Sequence, residues 1–328
     1  MKIAVIGAGF SGLAVAWSLI NRFPNQAKVH IFDTLEIGKG TSGIAAGLLH
    51  PFAGAHAKLN WMGQEGFQAT RELIKVATQA LGRPVNPEEG ILRLALNENQ
   101  VRDFQICANR FPEDVEWLDR AACQQKAPGS AHAPGLWIKK GLTIYSPLYL
   151  KGLWIACEKQ GAKFEQKKIQ SLDSLKEFDL VIIAAGAETI QLPGLAALPL
   201  SLVKGQILEL SWPKNRAPLS HPLNSHVYIL MTESRTSCLV GASYEKGHQQ
   251  ASIDLETAQK EILPKALELF PPLKEASVLN CYAGMRVVAP QHRPLIQRLS
   301  PSQWVLTGMG SKGLLYHALL AQELVKQI

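Results

Sequence analysis

Apolar residues first appear as a short unbroken run, residues 3–6, followed at once by glycine, the pattern of a strand buried on both faces that ends at a turn. From Phe10 to about Asn21, Leu13, Ala16, Trp17 and Ile20 recur at helical spacing, so a helix begins directly after the glycines. A second apolar run, residues 29–32, ends on Asp33 and completes a β-α-β unit. The chain closes in the same way, with a strand over 304–307, the turn Gly308-Met309-Gly310-Ser311-Lys312-Gly313 and a helix over 314–326. A further buried strand over 179–186 runs into Gly186. Helical periodicity also covers residues 63–81, 148–160 and 255–270. Residues 84–141, with several prolines and short runs such as 91–96, predict strands and connectors, and residues 203–210 through 239–241 predict further strands.

Two stretches of α/β character thus alternate with two of β-rich character. The expected fold class is α/β, a Rossmann-type nucleotide-binding domain with a second, β-rich substrate domain, each discontinuous in sequence. We expect residues 1–75, 142–200 and 281–328 in the first and residues 76–141 and 201–280 in the second. A length of 328 residues suits two domains.

Composition narrows the function classes. Hydrophobic residues make up 47% and charged residues 19%, as in a compact globule. The net charge of +7 is spread without a run of like charges, which favours a solvated basic surface over a nucleic-acid footprint. Five cysteines without a C-x-x-C pair suggest neither disulfides nor zinc, and the nine histidines show no metal-ligand spacing. The opening apolar run breaks too early for a signal peptide and no stretch has the length of a transmembrane helix, so we expect a cytoplasmic protein with no membrane partner. A G-x-S-x-G nucleophile elbow is absent.

The strongest motif is Gly7-Ala8-Gly9-Phe10-Ser11-Gly12, placed between strand and helix. Gly7 permits the tight turn, Gly9 lets backbone approach a diphosphate, and Gly12 lets the helix close on the strand. A diphosphate would rest on the helix N-terminus, where N–H groups and the dipole favour negative charge. Asp33 stands where a carboxylate can accept from ribose hydroxyls. The Gly- and Ala-rich stretch 40–54 suits backbone packed against a ligand. The motif alone leaves FAD and NAD both open.

Four segments in order resemble the FAD-dependent D-amino-acid oxidase, glycine oxidase and sarcosine oxidase superfamily. They are the opening fingerprint, Gly40-Thr41-Ser42-Gly43 with residues 47–51, residues 179–189 with 203–206, and residues 284–315. The resemblance implies non-covalent FAD, since no cysteine stands in the turn at Lys312. It assigns Thr41 and Ser42 to the diphosphate and ribityl region, Gly47, Leu49 and His50 to the flavin ring, and Gly310, Ser311, Lys312, Gly313 and Leu314 to the flavin pyrimidine, with Gly186 among the cofactor-binding glycines. Arg286 matches the arginine that holds a substrate carboxylate, a task suited to a planar guanidinium. Lys312 would help to stabilise negative charge on the reduced flavin, and Tyr244, Tyr282 and Tyr316 are candidate pocket walls. The implied reaction oxidises the C–N bond of an amino acid or N-substituted glycine. Within the superfamily the chain is also similar to the flavin domain of bifunctional tRNA enzymes that trim carboxymethylaminomethyl-uridine, which leaves tRNA as the alternative partner.

Overall fold

A computed structural model describes every residue of the chain except Glu88. A six-stranded sheet has the order Leu295–Ser300, Gln303–Thr307, Leu180–Ile183, Lys2–Ile6, Lys28–Asp33, Lys163–Gln166. All its pairings are parallel except the hairpin formed by the first two strands.

The opening strand sits in the middle because both of its faces are apolar. Ile3 and Val5 point to one face and join a core with the helices Phe10–Arg22, Gly63–Leu81, Ser146–Lys159 and Gly313–Lys326. Ala4 and Ile6 point to the other and pack with Ile169, Leu175, Leu192 and Leu195. This alternation is the strand's period of two, and it turns a run that is merely hydrophobic in sequence into the wall between two cores. Leu13, fully buried on the first helix, belongs to the larger core; its truncation to alanine would cost about 2–5 kcal/mol.

The second sheet has ten strands. Its longest pair, Ser201–Ser211 against Val278–Val288, runs antiparallel from Val278 opposite Leu210 to Val288 opposite Ser201. The helix Leu255–Leu269 covers this sheet through Ala258, Ile262, Ala266 and Leu269. Leu48–Leu49 also joins it, by pairing with Gly135–Thr143, so the Gly- and Ala-rich stretch passes between the two sheets.

The helices 63–81 and 255–269 fall where periodicity placed them, within one residue. The region expected to hold only strands and connectors also contains the helices Glu98–Arg110 and Arg120–Lys126. Each begins at a side-chain cap: Asn97 accepts from the Gln100 N–H at 2.9 Å and Asp119 from the Ala122 N–H at 2.8 Å. Among the described residues no helix is long and apolar enough to cross a membrane.

Candidate active site

The ends of the central strands open into one cavity of about 930 Å³, at the upper end of the range for cofactor sites. It is lined from the first glycine turn by Gly7, Gly9, Phe10 and Ser11, and from the last by Gly308, Gly310, Ser311, Gly313 and Leu314. Both termini of the chain therefore meet at the same space.

At the first turn, close approach is built in. A side chain on Gly12 would overlap the Gly7 carbonyl oxygen, so the helix lies directly on the turn. Gly7 itself has φ +108°, and a Cβ there would collide with the Ala184 carbonyl. Gly12 thus serves packing and does not line the cavity. The Asp33 Oδ2 accepts from the Ala8 N–H at 2.6 Å and Oδ1 from the Leu35 N–H at 3.0 Å. Oδ1 also accepts from the Thr34 hydroxyl at 3.4 Å, while Oδ2 keeps a further lone pair for a hydroxyl in the cavity, which Asp33 lines. Ser42 reaches over from the Gly- and Ala-rich loop, and its Oγ accepts from the Phe10 N–H at 3.1 Å.

That loop is fixed at both ends. Thr41 Oγ1 accepts from the Met285 N–H at 3.3 Å, one residue from Arg286. Gly47, with φ +84°, lies so close to Ile144 that a Cβ would strike its carbonyl, and its own oxygen accepts from the Ile144 N–H at 2.8 Å. Thr41, Ser42, Gly47 and His50 line the cavity; Leu48 does so in place of Leu49, which turns into the core.

His50 is buried with no hydrogen-bond partner for Nδ1, and burial, followed by the nearby Arg93 charge, lowers its pKa to about 3. It is neutral at any working pH. Arg93, 2% exposed, donates to the Phe52 and Gly54 carbonyls at 2.6 and 2.7 Å and so holds the segment next to His50 from behind. Among the described residues Arg93 has no carboxylate within ion-pair distance, and burial pulls its pKa down to about 10.

The closing turn is braced by a residue with no sequence signal. His317 is fully buried and neutral, with its pKa pushed down by burial to about 4. Its Nδ1 faces the Gly313 and Leu314 carbonyls at 3.1 Å each, and its Nε2 is 2.7 Å from the Tyr149 hydroxyl. With Nδ1 protonated, the ring donates to the first turn of the last helix and accepts from Tyr149. Lys312, half-buried with its pKa lowered by desolvation, stands at the N-cap position of that helix without a side-chain capping bond and is not among the lining residues. Gly186, with φ +55°, lines the opposite side.

Arg286 lines the cavity from the second sheet. Its Nη1 donates to the Ser243 carbonyl at 3.0 Å, and its guanidinium occupies the space that a side chain at Gly205 would take. Tyr228 lines the cavity beside it, packed so tightly on Gly241 that a Cβ there would press on the phenol oxygen. Burial raises the Tyr228 pKa well above 10, so it remains a donor. Sequence reasoning missed Tyr228. Of the aromatic residues it proposed as walls, Tyr282 instead donates to Glu209 at 2.7 Å, Tyr244 is exposed under Arg286, and Tyr316 packs against Trp61.

A glycine turn at a helix N-terminus, a carboxylate at the next strand end and a large cavity fit a dinucleotide cofactor. Two lining residues, His50 and Thr307, each carry a buried polar atom without a hydrogen-bond partner, as expected where a ligand supplies one.

Comparison with known proteins agrees. Among curated proteins, the tRNA 5-methylaminomethyl-2-thiouridine biosynthesis bifunctional protein of Polaromonas sp. is 25% identical over 364 residues, covering 99% of this chain and 56% of that protein. The chain thus spans about half the length of the curated relatives it matches. Among solved structures, glycine oxidase from Geobacillus kaustophilus aligns with a TM-score of 0.85 at 22% identity, covering 99% of this chain and 94% of that one. Iminodiacetate oxidase from Chelativorans sp. aligns with a TM-score of 0.81 at 20% identity, covering 99% and 95%. At those identities the two structures speak for the fold. A family model described as FAD dependent oxidoreductase matches residues 2–327, so the chain belongs to that family and its cofactor is FAD.

Proposed function

We propose that the protein oxidises the C–N bond of an amino acid or an N-substituted glycine. The observation that carries this reading is Arg286, a half-buried cation beside the Tyr228 phenol on the wall of the cofactor cavity, with no carboxylate within ion-pair distance among the described residues. Glu245, the carboxylate that acts on Arg286 from further off, is already paired with Lys204, so a substrate carboxylate would give Arg286 its direct partner. The glycine oxidase and the iminodiacetate oxidase of similar fold act, by name, on the same substrate class.

The chemistry that FAD supplies when bound is acceptance of a hydride equivalent from the carbon bearing the amine. The chain supplies binding and orientation. The first turn of the helix Phe10–Arg22 and the Ser42 hydroxyl would hold the diphosphate, and Asp33 a ribose. Gly47 and His50 would face the flavin ring from one side. The N–H groups of Gly313 and Leu314, at a helix N-terminus, would favour negative charge placed against them, and Lys312 adds a cation at the same end. Arg286 takes the carboxylate through parallel hydrogen bonds and Tyr228 donates a further one, which fixes the α-carbon in one orientation. Neutral His50 adds no charge that would repel or protonate the amine. We further propose that residues 1–75, 142–200 and 281–328 form the FAD-binding domain and residues 76–141 and 201–280 the substrate domain, with the strand Val278–Val288 joining them.

An anaerobic screen of amino acids, N-methyl amino acids and modified nucleosides for bleaching of the flavin band tests the reading. Bleaching by a glycine-type amine supports it; bleaching by none of them rejects it.

One surface feature favours the tRNA alternative. Trp61 is 42% exposed, with the Arg293 guanidinium 5.8 Å from its ring and Tyr316, one helical turn after Lys312, at 6.0 Å. An exposed aromatic beside an arginine suits a stacked base. The curated relatives act, by name, in tRNA modification, and a carboxymethylamino group is a glycine unit on a larger body. Salt-sensitive binding of bulk tRNA that weakens in Trp61→Ala supports this alternative; no binding at low salt dismisses it.

A further inference from the structure

Behind Arg286, a buried polar network joins two places that both face the cavity. Gln206, fully buried, lies on the strand Ser201–Ser211. Its Nε2 donates to Glu245 Oε1 at 3.0 Å, and its Oε1 accepts from the Asp254 N–H at 2.7 Å. A single carboxamide therefore holds both ends of the exposed segment 246–253, in which Gln249, Gln250 and Ala251 line the cavity.

The backbone of Gln206 grips the same region. Its N–H donates to Ser243 Oγ at 2.8 Å and its carbonyl accepts from the Ser243 N–H at 3.1 Å. Ser243 Oγ donates to Glu245 Oε1 at 2.5 Å, and Lys204, 1% exposed, pairs with Glu245 Oε2 at 3.1 Å. The Ser243 carbonyl is the acceptor for Arg286 Nη1. Each of these buried polar side chains has a partner, the condition under which such a network rigidifies its surroundings instead of destabilising them.

We infer that Gln206 is a positioning residue: its carboxamide staples both ends of the 246–253 segment, part of which lines the cavity, and, by fixing the Glu245 carboxylate to which Ser243 Oγ donates, it aims the Arg286 guanidinium held by the Ser243 carbonyl. The second half rests on the reading that Arg286 meets a substrate carboxylate. The first half does not.

The test uses the FAD-loaded full chain and Gln206→Leu, with FAD content and melting temperature as checks of folding. Release of the staple is read by trypsin cleavage after the exposed Lys246, expected to become at least tenfold faster as local opening grows more frequent. Aim is read by kinetics with the glycine-type substrate found in the screen. KM should rise about five- to tenfold, the size of one lost hydrogen bond, with kcat within about twofold. Unchanged cleavage overturns the staple, and unchanged KM overturns the aiming of Arg286; a parallel fall in FAD content and kcat at unchanged KM marks a merely structural role and overturns both. If Gln206→Leu does not fold, hydrogen exchange on the wild type decides the staple. The Asp254 amide must exchange far more slowly than residues 248–252, and equal rates overturn it. If the wild type oxidises no glycine-type amine, the reading of Arg286 fails, while the cleavage and exchange results still decide the staple.

Discussion

The Arg286 guanidinium lies over Gly205 on the neighbouring strand, in the space that any side chain at position 205 would occupy. Strand pairing sets this arrangement: Arg286 pairs with Val203 and Gly284 with Gly205, so the long side chain leans diagonally across a gap left open for it. The same bare glycine leaves the cavity wall free of anything between the cation and its ligand.

Gly205→Ala is therefore expected to displace the guanidinium without removing it. KM for the carboxylate substrate should rise roughly ten- to a hundredfold, corresponding to about 1.5–3 kcal/mol for a weakened charge-assisted hydrogen bond. FAD content should stay near that of the wild type. Steady-state kinetics and the flavin-to-protein absorbance ratio check both.

The two glycines of the opening turn should respond differently. A Cβ on Gly12 would overlap the Gly7 carbonyl, which is backbone and cannot yield, so Gly12→Ala should give a protein that folds poorly and holds little FAD. A Cβ on Gly9 would meet only the Ser42 hydroxyl at 2.7 Å, a side chain that can rotate away. Gly9→Ala should fold and bind FAD more weakly, as read by flavin fluorescence on titration.

Arg93→Met removes the charge second in importance for the low His50 pKa and leaves the Phe52 and Gly54 carbonyls without their donor. The His50 pKa should rise from about 3 yet stay below 6.5, because burial, the larger cause, persists. Stability should fall by about 1–3 kcal/mol for each buried carbonyl left unpaired. Histidine NMR titration and thermal melting measure the two effects.

Acid should destabilise the protein well before its carboxylates titrate. His50 and His317 have folded pKa values lowered to about 3 and about 4 from 6.5. As pH falls below 6.5 the unfolded chain takes up protons at these rings and the folded chain does not, so stability falls with pH through that window. For His317 the shift corresponds to about 3 kcal/mol between pH 6.5 and 4. His317→Gln, which cannot titrate, should flatten the loss of melting temperature between pH 6.5 and 5.

Local sequence announced what local structure needs. The opening strand, the glycine turn and the helices 63–81 and 255–269 are written in runs of neighbouring residues, and the fold places them so. The helices 98–110 and 120–126 were missed although Asn97 and Asp119 are good caps, because few apolar positions mark their buried faces: Phe104, Cys107 and Ala108 on one, Cys123 on the other. Tyr228, Arg93, His317 and Gln206 were beyond local reading for another reason. Their partners lie on other elements, such as Tyr149, which stands 168 positions from His317, and only strand order and register bring them together. Lys312 illustrates the limit in reverse, since it sits inside the expected motif while the turn presents Ser311 and Gly313 to the cavity instead.

The most direct measurement of the central claim is anaerobic mixing of the FAD-loaded protein with matched pairs of amines, each an N-substituted glycine and the same molecule with its carboxylate converted to a carboxamide. The account predicts rapid bleaching of the flavin band by the carboxylate member and little by the carboxamide, since only the former has the charge that Arg286 receives. Equal bleaching by both members of every pair would contradict it.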